Sequence, residues 1–193
     1  MGFLSVLSQA QRWVAERTSP GDAVVDATAG NGVDTLFLAR AAGAKGTVFA
    51  FDVQETALLR TRERLDAASR TEPPLANVVL LHAGHERMSE LIPAPYHGKI
   101  RAVMFNLGYL PGADEGLITK PDTTLPALEA ALELLSPGGV LTAVLYPGHP
   151  GGVEEAQSVE RWAAGLSPAR AQTVHYRFPQ KPSAPYLVAV EKR

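Results

Sequence analysis

The chain has 193 residues, 46% of them hydrophobic and 20% charged, with a formal net charge of −2 and no cysteine. That length supports a full core without staples, and the missing thiols exclude disulfides, thiolate chemistry and cysteine metal sites. The slightly acidic balance gives no overall attraction to nucleic acid, and residues 1–18 lack the basic-then-apolar pattern of a signal peptide or membrane span, so one cytoplasmic domain over residues 1–193 is expected.

Phe3, Leu7, Ala10 and Val14 recur at helical spacing, which predicts an opening amphipathic helix that stops before Pro20-Gly21. Ala23–Asp26 reads as a first buried strand, Val33–Ala42 as a helix and Thr47–Phe51 as a second strand. Gln54–Ala68 is an arginine-rich helix closed by Glu72-Pro73-Pro74. Val78–Leu81 and Ile100–Phe105 make the third and fourth strands. Leu125, Leu128, Leu132 and Leu135 line a helix that ends at Ser136-Pro137-Gly138-Gly139, and Val140–Tyr146 is apolar enough for a central parallel strand. Val153–Leu166 is a further helix, and Val174–Phe178 and Leu187–Val190 read as a closing antiparallel pair. Seven strands with helices between the first five predict an α/β, Rossmann-like, mostly parallel sheet with helices on both faces.

The chemistry concentrates where the first strand meets its helix, in Asp26-Ala27-Thr28-Ala29-Gly30-Asn31-Gly32-Val33-Asp34-Thr35. A pyrophosphate cradle wants a third glycine where this chain has Thr35, which argues against a dinucleotide and a nicotinamide-dependent reductase. Asp26 and Asp34 would repel a pyrophosphate but suit a cationic ligand. S-adenosylmethionine, with a sulfonium, an ammonium and no phosphate, meets that requirement, and the fold becomes the class I methyltransferase version of the doubly wound sheet. Asp52, closing the second strand, is placed to accept the ribose hydroxyls. The plainer reading has Asp34 favouring the helix N-terminus through its dipole and Asp26 capping a turn.

Beyond the fourth strand comes Asn106-Leu107-Gly108-Tyr109-Leu110-Pro111. Asn106 would face the same crevice, its carbonyl oxygen accepting a hydrogen bond from an amine, while Tyr109 stacks on a planar base. The segment resembles the Asn-Pro-Pro-Tyr loop of methyltransferases acting on exocyclic amines, with Leu107-Gly108 in place of Pro-Pro; the alternative is a turn whose tyrosine packs on the core. His85 follows the third strand, where an adenine is usually met, and reads as a ligand contact or a packing residue. Tyr146-Pro147-Gly148-His149-Pro150-Gly151-Gly152 follows the fifth strand, with His149 either an RNA contact or part of a rigid turn. Arg177, Lys181, Lys192 and Arg193 cluster in the sequence of the tail, suiting a single-stranded RNA loop or a solvated surface.

These three motifs together resemble a bacterial methyltransferase family formerly labelled putative rRNA methylases, now associated with methylating the 5-aminomethyl group of the tRNA wobble uridine, usually on a 2-thiolated base. The likeness runs from the first helix to Val188-Ala189-Val190-Glu191-Lys192, departing at Phe178-Pro179-Gln180-Lys181-Pro182. It implies S-adenosylmethionine as cofactor, no metal, no membrane, and the tRNA anticodon loop as partner. A second copy in a homodimer would offer another face for the anticodon arm. The cofactor set would be Asp26, Gly30, Asn31, Gly32, Asp34, Thr35, Asp52, Val53, Gln54, His85 and Asn106. Asn106 and Tyr109 would orient the amine, and Leu107, Gly108, Tyr109 and His149 would meet the substrate. Methylation of rRNA, a small amine or a protein, and a non-catalytic cofactor-binding module, are the competing readings.

Overall fold

The computed structural model describes residues 2–108, 119–148, 150–181 and 183–193. Thirteen main elements alternate as α1 (Val6–Ala15), β1 (Ala23–Asp26), α2 (Val33–Ala42), β2 (Thr47–Asp52), α3 (Glu55–Ser69), β3 (Asn77–His82), a short α4 (Met88–Leu91), β4 (Ile100–Leu107), α5 (Pro121–Leu134), β5 (Leu135–Leu145), α6 (Gly152–Gly165), β6 (Ala171–Tyr176) and β7 (Tyr186–Lys192). The seven-stranded sheet has the order β3-β2-β1-β4-β5-β7-β6. β1 to β5 run parallel, and β7 is antiparallel to both β5 and β6. The expected architecture is the one found.

Side-chain alternation divides the sheet residues between two cores. Val25, Phe49, Val103, Phe105 and Leu141 bury against α4, α5 and α6. Val24, Val48, Ala102, Met104 and Val140 bury against α1, α2 and α3. Covered on both faces, β1 is buried at all four positions and β5 at every position from Val140 to Leu145, which is why both read as unbroken apolar runs. Among the described residues no helix is long and apolar enough to cross a membrane.

The break expected at Ser136-Pro137-Gly138-Gly139 lies inside β5 instead. Leu135 already pairs with Ile100, and the register then jumps to Ala102 with Val140. Ser136 Oγ donates to the Ile100 carbonyl at 3.2 Å, and Arg101 Nη1 donates to Ser136 Oγ at 2.9 Å and to the Pro137 carbonyl at 3.1 Å. These bonds hold the bulge against the sheet and let α5 run directly into the strand. β6 ends at Tyr176, leaving Phe178 beyond the strand, because pairing with β7 sets its limits.

The strand order reverses between β1 and β4, and such a switch point opens a crevice beyond the carboxyl ends of the strands. Asp26 pairs with Met104 across it, so residues just past β1 meet residues near the end of β4.

Candidate active site

The turn after β1 is held from all sides. The Ala27 amide donates to the Met104 carbonyl and the Ala29 amide to the Phe51 carbonyl, each at 2.8 Å. Asp26 is fully buried; its Oδ1 accepts from the Thr28 amide at 3.1 Å and its Oδ2 from Thr35 Oγ1 at 2.6 Å. Burial, and then the nearby charge of Asp34, push its carboxyl up to about 7. Gly32 has φ +74°, and a Cβ there would lie 2.8 Å from Thr61 Cα, so only glycine allows this turn to rest on α3. From the same helix Arg64 Nε donates to the Asn31 carbonyl at 2.7 Å and Arg60 Nη1 to Asn31 Oδ1 at 3.3 Å.

Asp52 closes the turn from β2. Its Oδ2 accepts from the Gly30 amide at 2.8 Å and its Oδ1 from the Gln54 amide at 2.9 Å. Each oxygen keeps acceptor capacity for a hydroxyl. Neighbouring Val53 is 55% exposed, and its carbonyl bonds His82 Nε2 at 3.0 Å.

Across the switch point, the Asn106 amide N–H donates to Thr28 Oγ1 at 2.8 Å. Its side-chain Nδ2 donates to Asp34 Oδ2 at 2.5 Å. The other Asp34 oxygen accepts from Gln11 Nε2 of α1 at 2.8 Å. Asn106 Oδ1 is left buried without a partner, one of two such side-chain atoms among the described residues. A buried amide carbonyl in that state costs free energy unless a ligand completes it.

His85, on the turn after β3, is 7% exposed. Its Nδ1 donates to the Ala27 carbonyl at 3.2 Å, and its ring meets Phe105 edge-on at 5.6 Å. Burial holds the imidazole below its usual range, in the neutral form. Leu107 alternates away from Asn106 and packs into the core at 1% exposure, while the Gly108 carbonyl accepts from the Thr119 amide at 3.0 Å. Tyr109 and His149 lie outside the described residues.

The structure thus brings Asp26, Thr35, Asp34 and Asn106 into one cluster, and Gly30, Asp52 and Gln54 into a second beside it. Gln11 and Thr28 Oγ1 complete the first without a signal in the sequence, since their partners are distant along the chain. Tyr146 was legible only as part of a turn; burial, and then the Asp34 charge, raise its phenol above the ordinary range. Glu155 was likewise hidden: it is 2% exposed and accepts from Thr119 Oγ1 at 2.7 Å and Thr124 Oγ1 at 2.6 Å, anchoring the far end of the segment that follows Gly108. The basic cluster of the tail does not form. Antiparallel β7 carries its start to the crevice end of the sheet, where Tyr186 pairs with Leu145, and its last residues to the opposite end of the strands. There Lys192 Nζ donates to the Glu133 and Leu135 carbonyls, far from Arg177 and Lys181.

These features fit S-adenosylmethionine: an acid with open acceptor sites for a ribose, a glycine turn closed by that acid, and the acidic side chains of Asp26 and Asp34 beside the same turn, where a pyrophosphate would be repelled and a cationic ligand is suited. The fold and this crevice define an S-adenosylmethionine-dependent methyltransferase. A Streptococcus mutans protein described as a putative methyltransferase, solved with S-adenosylhomocysteine bound, superposes at a TM-score of 0.85, 34% identical, with all of both chains covered. Residues 48–191 match the family described as Putative rRNA methylase, and the chain belongs to that family. A Clostridium thermocellum structure described as a putative rRNA-methylase, 38% identical, superposes at a TM-score of 0.91 over all of both chains. The chain is also 41% identical, over 178 residues and 90% of its length, to the chloroplastic tRNA (mnm5s2U34)-methyltransferase of Arabidopsis thaliana, and spans 64% of the length of that relative.

Proposed function

We propose that this chain is an N-methyltransferase that transfers the methyl group of S-adenosylmethionine to the 5-aminomethyl group of the tRNA wobble uridine, working in the cytoplasm on the anticodon loop. The observation that carries the reading is the unpartnered, buried Oδ1 of Asn106 at the end of β4. That oxygen can only accept, which suits a nucleophile that brings N–H groups. The name of the Arabidopsis relative supports the substrate.

When bound, S-adenosylmethionine supplies an electrophilic methyl on a sulfonium. Asp52 would hold the ribose, with Gly30, Asn31, Gly32, Val53 and Gln54 shaping the pocket, Asp26 and Thr35 bracing it, and His85 flooring it. The Asp34 carboxylate favours a cationic amine in the crevice. Once the amine has given up a proton to bulk water, Asn106 Oδ1 accepts one remaining N–H and aims the lone pair along the line of displacement. Holding the reacting atoms within about 3–3.5 Å in line supplies much of the acceleration. Tyr109, Leu107, Gly108 and His149 are proposed to border the substrate, with Tyr109 stacking on the uracil.

Nucleoside mass spectrometry tests this: tRNA carrying 5-aminomethyl-uridine, incubated with the protein and S-adenosylmethionine, should gain one methyl on that nucleoside. No gain, with cofactor binding intact, would redirect the search to rRNA and small amines.

A further inference from the structure

We infer that Gln11 and Asp34 are positioning residues that lock the Asn106 side chain with its oxygen, and not its NH2, toward the reacting amine; this rests on the amine-methylating reading above. An asparagine amide has two nearly isosteric orientations, and they are not equivalent here. With NH2 forward, it would hydrogen-bond the very lone pair that must attack the methyl group. Asp34 removes that choice. A carboxylate only accepts, so the group facing its Oδ2 at 2.5 Å must be Nδ2. The bond is charge-assisted and draws electron density toward Oδ1, strengthening it as an acceptor.

Gln11 fixes the carboxylate in turn. Its Nε2 donates to Asp34 Oδ1 at 2.8 Å, so both Asp34 oxygens are engaged by amide NH2 groups. Gln11 lies between the buried positions Ala10 and Val14 of α1, packed by its apolar stripe, so the opening helix reaches the reaction centre through this side chain. The Thr28 hydroxyl, accepting from the Asn106 backbone N–H, sets the height of the amide. The titratable groups facing Asp34 are Asp26 on β1 and Tyr146 after β5; on α1, Arg12 is paired with Glu16 at the surface.

Gln11→Glu tests the arrangement. Two carboxylates at that separation share a proton, so this variant gains a titration absent from the native protein. The experiment follows the Asn106 side-chain amide signal by 1H–15N NMR and kcat on amine-bearing tRNA over one pH range. In Gln11→Glu the signal should titrate, and kcat should fall as pH rises through the same midpoint. A signal that titrates only as in the native protein overturns the inference. So does a kcat profile that ignores the new titration while turnover persists. A titrating signal with no methylation by either protein upholds the locked amide and instead sinks the tRNA reading. Asp34→Ala adds a second arm: with no carboxylate facing Nδ2, the Asn106 amide is free to turn over, lowering kcat by about a hundredfold with S-adenosylhomocysteine affinity retained. Weakened affinity with kcat at saturation unchanged would make Asp34 a cofactor ligand alone and overturn the positioning role.

Discussion

The Gly30 amide donates to Asp52 Oδ2 at 2.8 Å across 22 positions of sequence, so the glycine turn after β1 and the acid ending β2 are one piece of structure. Asp52→Ala would remove a ribose acceptor and also release the Gly30 and Gln54 amides. Affinity for S-adenosylhomocysteine, measured by calorimetric titration, should weaken by about 1–3 kcal/mol, the scale of unpairing a hydrogen-bonded group. An unaltered affinity would place the ribose elsewhere.

Gly32→Ala strains the same turn from the side of α3. The backbone sits at φ +74° and the added Cβ would press on Thr61 Cα at 2.8 Å. A stability loss of about 2 kcal/mol or more is expected in urea unfolding, with cofactor binding reduced more severely because the turn itself must move. Native-like unfolding would show that the turn relaxes freely.

Asn106→Ala removes the open acceptor but leaves Asp34 bonded to Gln11. Cofactor affinity should hold while kcat drops about tenfold or more. Full turnover in this variant would strip Asn106 of its role.

Asp26 makes stability depend on pH in a defined direction. Its folded pKa of about 7 lies well above that of an ordinary aspartate, about 4, so between those values the folded chain binds more protons than the unfolded one. Stability contributed by the protonated carboxyl is therefore present at the acidic end and lost as pH rises toward 7. Asp26→Asn, which keeps an acceptor for the Thr28 amide, should flatten that slope. Melting temperatures of the two proteins from pH 5 to 8 check it; parallel curves would mean that Asp26 is ionised throughout.

Glu155→Ala would strand the Thr119 and Thr124 hydroxyls that now donate to it. A loss of about 1–3 kcal/mol is expected, and less for Glu155→Gln, whose amide oxygen still accepts from one threonine. Equal losses in the two variants would point to packing rather than hydrogen bonding.

Strand count, sheet class and the glycine turn were legible because each leaves a short-range mark. Buried parallel strands such as Val140–Leu145 are unbroken apolar runs, and positive-φ turns such as Gly30–Gly32 call for glycine. The bulge at Ser136–Gly139 was misread as a break because Pro and Gly look the same in sequence whether a strand ends or detours.

What the sequence by itself determined is the frame: an α/β sheet, its acids at strand ends, and Asn106 just past a switch point. Only the tertiary structure decided how those acids are used. It turned Asp26 inward onto Thr35, set Asp34 between Gln11 and Asn106, and buried Glu155 beneath two threonines. It also separated Lys192 from Arg177, although both sit in the tail. Hydrophobic periodicity is local and repeats, whereas a hydrogen bond joining Asn106 to a residue 72 positions away leaves no periodic trace; it exists only once the core has brought β4 beside β1.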